Sequence, residues 1–444
     1  MSRNPEFRRN LVLELTRYRL AAMPCVLLLT MLLAYAIATE PGKLYAAGWT
    51  AFALFTAVTL FWGTQLSVAS ITDEFRDKTW DQQRLSALDP WTLTWGKLLG
   101  APVFAWYGGA FCMPVFIAGM QHEPDGPPAL ALTALMLGTT LLMHALGLLS
   151  ALMAPRNGRR SSVTLIALLF LLMAGGPLVT GLMKSDPISW WGFQWNAMWF
   201  SVASSWIFAA WAVIGVYRVL GTELQVRTMP VVWLSLAAFL SFYLTGFSVG
   251  HAANTSVPTL FAMFGFGVTL TMTYLSVWIE KRDVISVHRL VLRFKADLFR
   301  RAAEETPCWL ATAPFALLFA LFLLARSDIT ALEMLTDRDF AALPLTLLML
   351  ALRDIALLYF FSFSDKRRNV EVAVIVYLGM LYWLIPALLS VMGLGLVANL
   401  ILPPLLSNPT LALVVAALQA GIAAWLAIAR WRKRLGAIAP PAPG

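Results

Sequence analysis

The chain is 444 residues long, 59% hydrophobic and only 13% charged. A water-soluble domain of that size does not tolerate so apolar a composition, so the sequence reads as an all-α polytopic membrane protein. The formal net charge of +9 does not indicate nucleic acid, because the basic residues cluster where membrane topology places them.

The first twenty residues contain Arg3, Arg8, Arg9, Arg17 and Arg19, and they set Phe7, Leu11, Leu15 and Tyr18 at helical spacing. That pattern predicts an interfacial amphipathic helix. Apolar runs long enough to cross a bilayer follow near 20–38, 46–70, 97–120, 128–153, 161–183, 197–220, 231–250, 258–279, 308–325, 340–361, 371–392 and 409–429. About twelve spans are therefore expected. The first run ends in AYAIATE, which resembles a signal-peptide cleavage site, but its length and the long basic stretch before it favour a retained span.

Lys and Arg accumulate on the cytoplasmic side of membrane proteins. With the N-terminus inside, all but Lys43, Lys184, Arg326, Arg338 and the intramembrane Arg353 fall in inside segments. The expectation is a multi-pass plasma (bacterial inner) membrane protein with both termini cytoplasmic. One missed helix would invert the pattern downstream.

Between the second and third runs lies a charged segment, Ile71 to Lys97, ITDEFRDKTWDQQRLSALDPWTLTWGK. It is too polar for hydrocarbon. Phe75, Trp80, Leu85 and Leu88 can share one helical face, so a helix from about Glu74 to Leu88 is expected, ended by Asp89-Pro90. An amphipathic helix held between two spans suits docking to a cytoplasmic partner.

The halves repeat. Glu74-Phe75-Arg76-Asp77 has a counterpart about 206 residues later in Glu280-Lys281-Arg282-Asp283, and Arg84-Leu85 in Arg289-Leu290. The turn Asn157-Gly158-Arg159-Arg160 recurs about 208 residues on as Asp365-Lys366-Arg367-Arg368. Two parallel six-helix repeats follow, residues 1–220 with loop 71–97 and residues 221–444 with a basic loop 280–307, related by an axis along the membrane normal. On the opposite face Trp190, Trp191, Trp195 and Trp199 suit an aromatic belt, while the stretch before the last span is apolar and broken by Pro403-Pro404. A membrane-dipping segment fits both connections.

The run Glu74, Thr79, Leu85, Pro90 and Gly96-Lys97, behind the amphipathic stretch Asn4 to Leu20, resembles type-2 ABC exporter permeases. In that family an acidic residue leaves the second helix, a short coupling helix follows, and a Gly-Lys pair enters the third. The resemblance covers the first half. It implies a transmembrane subunit of an ATP-binding cassette transporter, an exporter, in fused two-half form, coupled to separate cytoplasmic ATPase subunits, two copies per chain. The coupling residues it implies are Glu74, Arg76, Asp77, Thr79, Trp80, Arg84, Leu85, Pro90 and Lys97, with Glu280 and Arg282 in the second half. The second loop departs from the pattern: it lacks the Gly-Lys pair, and its stripe Val284, Val287, Leu290, Val291, Phe294 and Leu298 suits either a partner protein or the lipid interface.

No phosphate-binding GxxxxGK[ST] stretch occurs, and Gly265/Gly267 and Gly393/Gly395 lie in or beside apolar helices. The expectation is therefore no cofactor and no catalysis in this chain, with ATP-Mg on the partner. His122, His251 and His288 are scattered, and Cys25, Cys112 and Cys308 show no paired spacing, so neither a metal site nor a disulfide framework is expected. Gly246 and Gly250 form a GxxxG helix-packing spacing. Arg353 and Asp354 stand well inside the tenth run, and His144 in the fourth aligns with Leu352. Ionisable groups at that depth face a protein interior or an aqueous path, so these three are candidates for a translocation pathway or for a structural interhelical pair. The alternative from another class is a secondary transporter of two parallel six-helix halves driven by an ion gradient. The loop after the second run lacks the Gly-rich Asp-Arg pattern of the major facilitators, and the connection Gly221 to Pro230 is short for it.

Overall fold

A computed structural model of the chain describes residues 4–40, 42–86, 88–121, 128–153, 187–226, 229–250, 255–280, 282–326, 342–364 and 370–438. The fifth expected span, 161–183, and both basic turns of the repeat lie outside the described residues.

The described residues are largely helical, and the chain divides into two compact units, one of residues 1–188 and 194–228, the other of residues 189–193 and 229–444. Among the described residues ten helices are long and apolar enough to cross a membrane. This is a multi-pass membrane protein.

The first unit opens with α1 (Pro5–Glu14), started by Asn4, whose side chain accepts from the Phe7 N–H. The expected single amphipathic helix is interrupted: Thr16 is extended, and α2 (Arg17–Ile37) begins at Arg17, so Tyr18 belongs to the first span and is exposed. Next come α3 (Lys43–Arg76), α4 (Trp80–Leu85) and α5 (Pro90–Trp95), then α6 (Val103–Met120), α7 (Ala129–Met153) and α8 (Ala197–Glu223). At 34 residues α3 is about 51 Å long, more than the roughly 30 Å of bilayer hydrocarbon, and its last turns carry the polar Thr72–Arg76 end. A π-turn at Thr56–Trp62 interrupts it.

The core of this unit is built from Leu27, Phe55, Phe116 and Met120 at one level and from Ile71, Trp80, Leu98, Leu148 and Leu220 at another. α3 and α6 meet backbone to backbone, and a Cβ on Gly119 would lie 2.6 Å from Gly48 Cα and from Leu44 O. Small residues permit such approach, which lets dispersion forces act where lipid leaves no hydrophobic driving force. A short hairpin, β1 (Ile188–Trp190) and β2 (Phe193–Trp195), carries Trp190, Trp191 and Trp195, while Trp199 lies in α8. Trp191 and Gly192 both have positive φ, the type I′ geometry that matches strand twist.

The second unit contains α9 (Val231–Ser248), α10 (Val257–Ile279), α11 (Val284–Lys295), α12 (Phe299–Glu305) and α13 (Cys308–Leu324). It continues with α14 (Leu343–Ser362), α15 (Val370–Val391), the short α16 (Gly395–Ile401) and α17 (Pro409–Ile438). α12 and α13 meet at a 99° bend, and counting the pair as one span gives eleven. α15 contains a π-turn at Met380–Leu384. Its core gathers Phe266, Ala316, Ala320 and Leu348, with Val277, Ile355, Leu358 and Val374 nearby.

Many hydroxyl groups inside the helices satisfy themselves: Thr50, Thr133, Thr139, Ser241 and Thr245 donate back to carbonyls one turn earlier. That is how a polar side chain survives where no water is present. Leu29, Leu33, Val372, Ile375, Leu418 and Ile422 are exposed, as residues solvated by acyl chains should be.

Candidate functional site

The loop Ile71–Lys97 is organised by one buried charge. Lys97 is 1% exposed, and its ammonium lies 2.7 Å from Glu74 Oε2 and 3.5 Å from Glu6 Oε1. It also donates to the Ser70 carbonyl at 3.4 Å and stands 5.9 Å from the Trp80 ring centre. Arg9 closes the cluster, 2.9 Å from Glu6 and 3.3 Å from Glu74. Two cations and two carboxylates balance, and Gln83 donates to Glu74 at 2.6 Å. A buried charge is tolerated only when so paired and hydrogen-bonded.

The Gly-Lys pair now has a physical reason at both positions. A Cβ on Gly96 would lie 2.6 Å from Glu6 Cβ, so glycine admits α1 against the π-turn Gly96–Gly100. Asn4 donates to the Thr92 carbonyl at 2.7 Å and Asn10 to that of Gly96 at 3.4 Å. The N-terminal helix is thereby fastened to the loop and to the start of the third span. Asp89 caps α5, accepting from the Trp91 and Thr92 N–H groups. Its carboxyl is held below the ordinary range, first by the Thr92 hydroxyl.

The loop differs from the single helix expected over Glu74–Leu88. α3 ends at Arg76, Lys78 has φ of +58°, and Thr79 N–H bonds back to the Glu74 carbonyl. This left-handed cap stops one helix before the next begins. The expected apolar face is divided as a result. Phe75 and Leu88 pack on the inner core with Trp80, whereas Leu85 is 88% exposed.

The sequence-derived site residues fall accordingly into two groups. Glu74, Trp80 and Lys97 face inward and hold the loop's shape, and Pro90 starts α5. Arg76, Asp77, Thr79 and Leu85 are exposed, and Arg84 is partly covered beside Asp81. Glu6 and Arg9 were not anticipated. Their only sequence signal is an acid and a base three residues apart in a basic amphipathic stretch.

In the second unit Glu280 makes a different tie. Its carboxylate accepts from the Cys308 N–H at 2.6 Å, capping α13. A span end is thus joined to the next span start through backbone, with no lysine required. Burial pushes the Glu280 carboxyl above its ordinary range. Arg282 donates to Ser362 at 3.2 Å, pairs with Glu371 at 3.1 Å and reaches the Val277 carbonyl. On α11, Arg289 and Arg293 pair with Glu305.

The intramembrane candidates are all buried. Thr59, in the π-turn of α3, presents its carbonyl to His144 Nε2 at 2.8 Å. A carbonyl only accepts, so Nε2 carries the proton and Nδ1 holds a lone pair. That lone pair has no partner among the described residues. The ring stands edge-on to Trp106 at 5.3 Å. π-turns of this kind recur at functional sites because they break the regular pairing of helix carbonyls.

Arg353 and Asp354 on α14 form a network within the second unit. Arg353 Nε donates to Asp354 Oδ1 at 3.0 Å, and Arg353 Nη1 donates to the Gln419 carbonyl oxygen at 2.6 Å. Gln419 in turn donates to the Leu400 carbonyl at 2.7 Å. Asp354 Oδ2 accepts from Tyr382 at 2.7 Å and from Tyr274 at 3.4 Å. Four helices, α10, α14, α15 and α17, therefore contribute to one ion pair, which also reaches the backbone of α16. Tyr274, Tyr382 and Gln419 escaped the sequence reading, since a single phenol or amide in an apolar helix carries no periodic signal.

Among the described residues no group of three or more His, Cys, Asp or Glu side chains could hold a metal ion. Compared with protein-family models, with curated proteins and with solved structures, the chain matches none.

Proposed function

We propose that the chain is the transmembrane permease subunit of an ATP-binding cassette exporter, with twelve spans in two parallel six-helix halves and both termini cytoplasmic. Separate ATPase subunits, two copies per chain, bind and hydrolyse ATP-Mg. One observation carries the reading. The Ile71–Lys97 loop is a short, folded lever fixed to the second span, the third span and the N-terminal helix through the buried Lys97 cluster. Its outer side offers Arg76, Asp77, Asp81 and Leu85. A partner that closes on ATP and grips that tip moves the attached spans as a rigid body.

The test is co-purification of the tagged chain with its ATPase, followed by reconstitution. Wild-type protein stimulates ATP hydrolysis. Leu85→Asp, at a residue 88% exposed, leaves folding unchanged and abolishes stimulation. Full stimulation by Leu85→Asp together with Arg76→Glu would overturn the lever.

A second reading, a secondary transporter driven by an ion gradient, draws on the buried Asp354 with its two tyrosines and on the His144 lone pair. Intramembrane carboxyl and imidazole groups serve proton relays. Proteoliposomes containing this chain alone, given a proton gradient, decide between the two: gradient-driven flux without ATPase selects the second.

A further inference from the structure

Beside the Arg353–Asp354 pair lies a cavity of about 540 Å³ whose lining includes Leu270, Tyr274, Leu347, Asp354, Tyr382 and Leu402. All of its walls belong to the second unit. The volume is that of sites for small organic ligands, and the composition is theirs too, an apolar wall with a few convergent polar groups.

The polarity of those groups selects the ligand. Tyr382 spends its hydroxyl hydrogen on Asp354 Oδ2 at 2.7 Å, and Tyr274 points its own at the same oxygen at 3.4 Å. Asp354 Oδ1 takes the Arg353 guanidinium. Asp354 Oδ2 is filled by the two phenols and Oδ1 faces Arg353 Nε and Nη2 at 3.0 and 2.9 Å, so the carboxylate is spent; the polar groups left on the lining are the two phenol oxygens and the Thr271 hydroxyl at the exposed rim. The phenol oxygens offer only lone pairs, and Thr271 can accept as well as donate. A group that both donates and accepts matches the three.

Charge narrows the class further. Arg353 lies 2.9 Å from Asp354 and 4.9 Å from the Tyr382 ring centre, so the pair is neutral as a whole and gives a full cation no net attraction. An anion would set oxygen against oxygen. Asp354 lies near the middle of α14, a depth at which desolvating any ion is costly. A neutral hydroxyl is different, because in hydrocarbon it has no partner and here it finds three.

We infer that this cavity is a binding site for a neutral, hydroxyl-bearing amphiphile, an alcohol with an apolar body, whose O–H donates to the phenol oxygens of Tyr274 and Tyr382. The inference concerns binding alone and holds whether the chain is an ATP-driven permease or a gradient-driven carrier.

The experiment uses the full chain in nanodiscs of neutral phosphatidylcholine near neutral pH, with no ATPase and no gradient. An alkyl-diazirine derivative of 1-dodecanol is the photoprobe, and labelled peptides are mapped by mass spectrometry. Labelling concentrates on Leu270–Leu275 and Leu402–Leu405. Excess 1-dodecanol lowers it at least fivefold, whereas dodecanesulfonic acid and dodecylamine, both ionised, lower it less than twofold. Tyr382→Phe deletes one acceptor and weakens labelling about fivefold, in line with a single hydrogen bond. Ala351→Phe, at a lining position, fills the space and removes labelling. The wild-type competition stands by itself should either variant fail to assemble. Labels spread over the lipid-exposed helix faces, or equal competition by alcohol, acid and amine, would overturn the proposal.

Discussion

Replacing Lys97 by Met keeps the length of the side chain and removes its charge. In the intact protein Lys97 lies between Glu74 at 2.7 Å and Glu6 at 3.5 Å, and it is almost wholly buried. Without it the two carboxylates retain only Arg9, which is half exposed and 2.9 and 3.3 Å away. Breaking a buried pair by deleting one partner costs roughly 3–5 kcal/mol. Arg9 and water at its exposed side offset part of that, leaving about 2–4 kcal/mol. The loss falls on the seam between α1 and the loop, which otherwise rests on two asparagine hydrogen bonds, the Arg9–Glu74 pair and the packing of α1 on Gly96 and Gly100. Amide exchange within Pro5–Glu14 should therefore accelerate roughly 30- to 700-fold, taking about 1.4 kcal/mol per factor of ten. Hydrogen-exchange mass spectrometry of the detergent-purified protein reads this directly. The reasoning also requires that Lys97→Met combined with Glu6→Gln and Glu74→Gln restore most of the protection, since no unpaired buried charge then remains. Exchange in α1 unchanged by Lys97→Met, or a triple variant worse than the single one, would refute it.

Gly119→Ala drives a methyl against the Gly48 and Leu44 backbone at 2.6 Å. It should cost about 1–3 kcal/mol as overpacking, seen as a lower melting temperature, whereas Gly421→Ala, with nothing within 4 Å, should cost nothing. Arg353→Met strands Asp354 and should destabilise by roughly 3–5 kcal/mol, while Arg353→Met with Asp354→Leu should cost markedly less; monodispersity on heating compares them. Glu280 has its carboxyl raised by burial, so its contribution is fully present below the unfolded-state value and is lost as pH rises through the higher folded-state value. Glu280→Gln, which still accepts from the Cys308 N–H, should remove this fall, and melting temperature followed from about pH 4 to pH 8 should be flatter for the variant than for wild type.

The membrane class and most helix positions could be read from the sequence because they depend on local composition. A run of about twenty apolar residues has one stable state in hydrocarbon, a helix with its own hydrogen bonds closed. α2, α7, α10, α14 and α15 lie within a few residues of where apolar length places them. Breaks inside amphipathic stretches were not legible. Thr16 and Lys78 each interrupt an unbroken periodicity. The turn at Lys78 exists because Trp80 must enter the core, so tertiary packing overrides helix propensity there.

For the candidate site, the sequence pointed to Arg353 and Asp354 by the expense of placing charge within an apolar run, and to Glu74 and Lys97 through the resemblance carried by the loop. It could not say which way they face. Lys97 and Leu85 make the point together: a lysine in a loop and a leucine on a helix would by composition lie outside and inside, and they lie inside and outside.

The sequence by itself thus determined that the chain crosses a membrane many times and where charge interrupts it, because hydrocarbon penalises each polar residue independently of its neighbours. Only the tertiary structure decided the partners: Glu6 with a lysine some ninety residues away and Arg9 with Glu74, and Tyr274, Tyr382 and Gln419 around Asp354 and Arg353. A buried charge needs a counterpart at about 3 Å, whichever helix supplies it, and that distance is set by packing rather than by spacing along the chain.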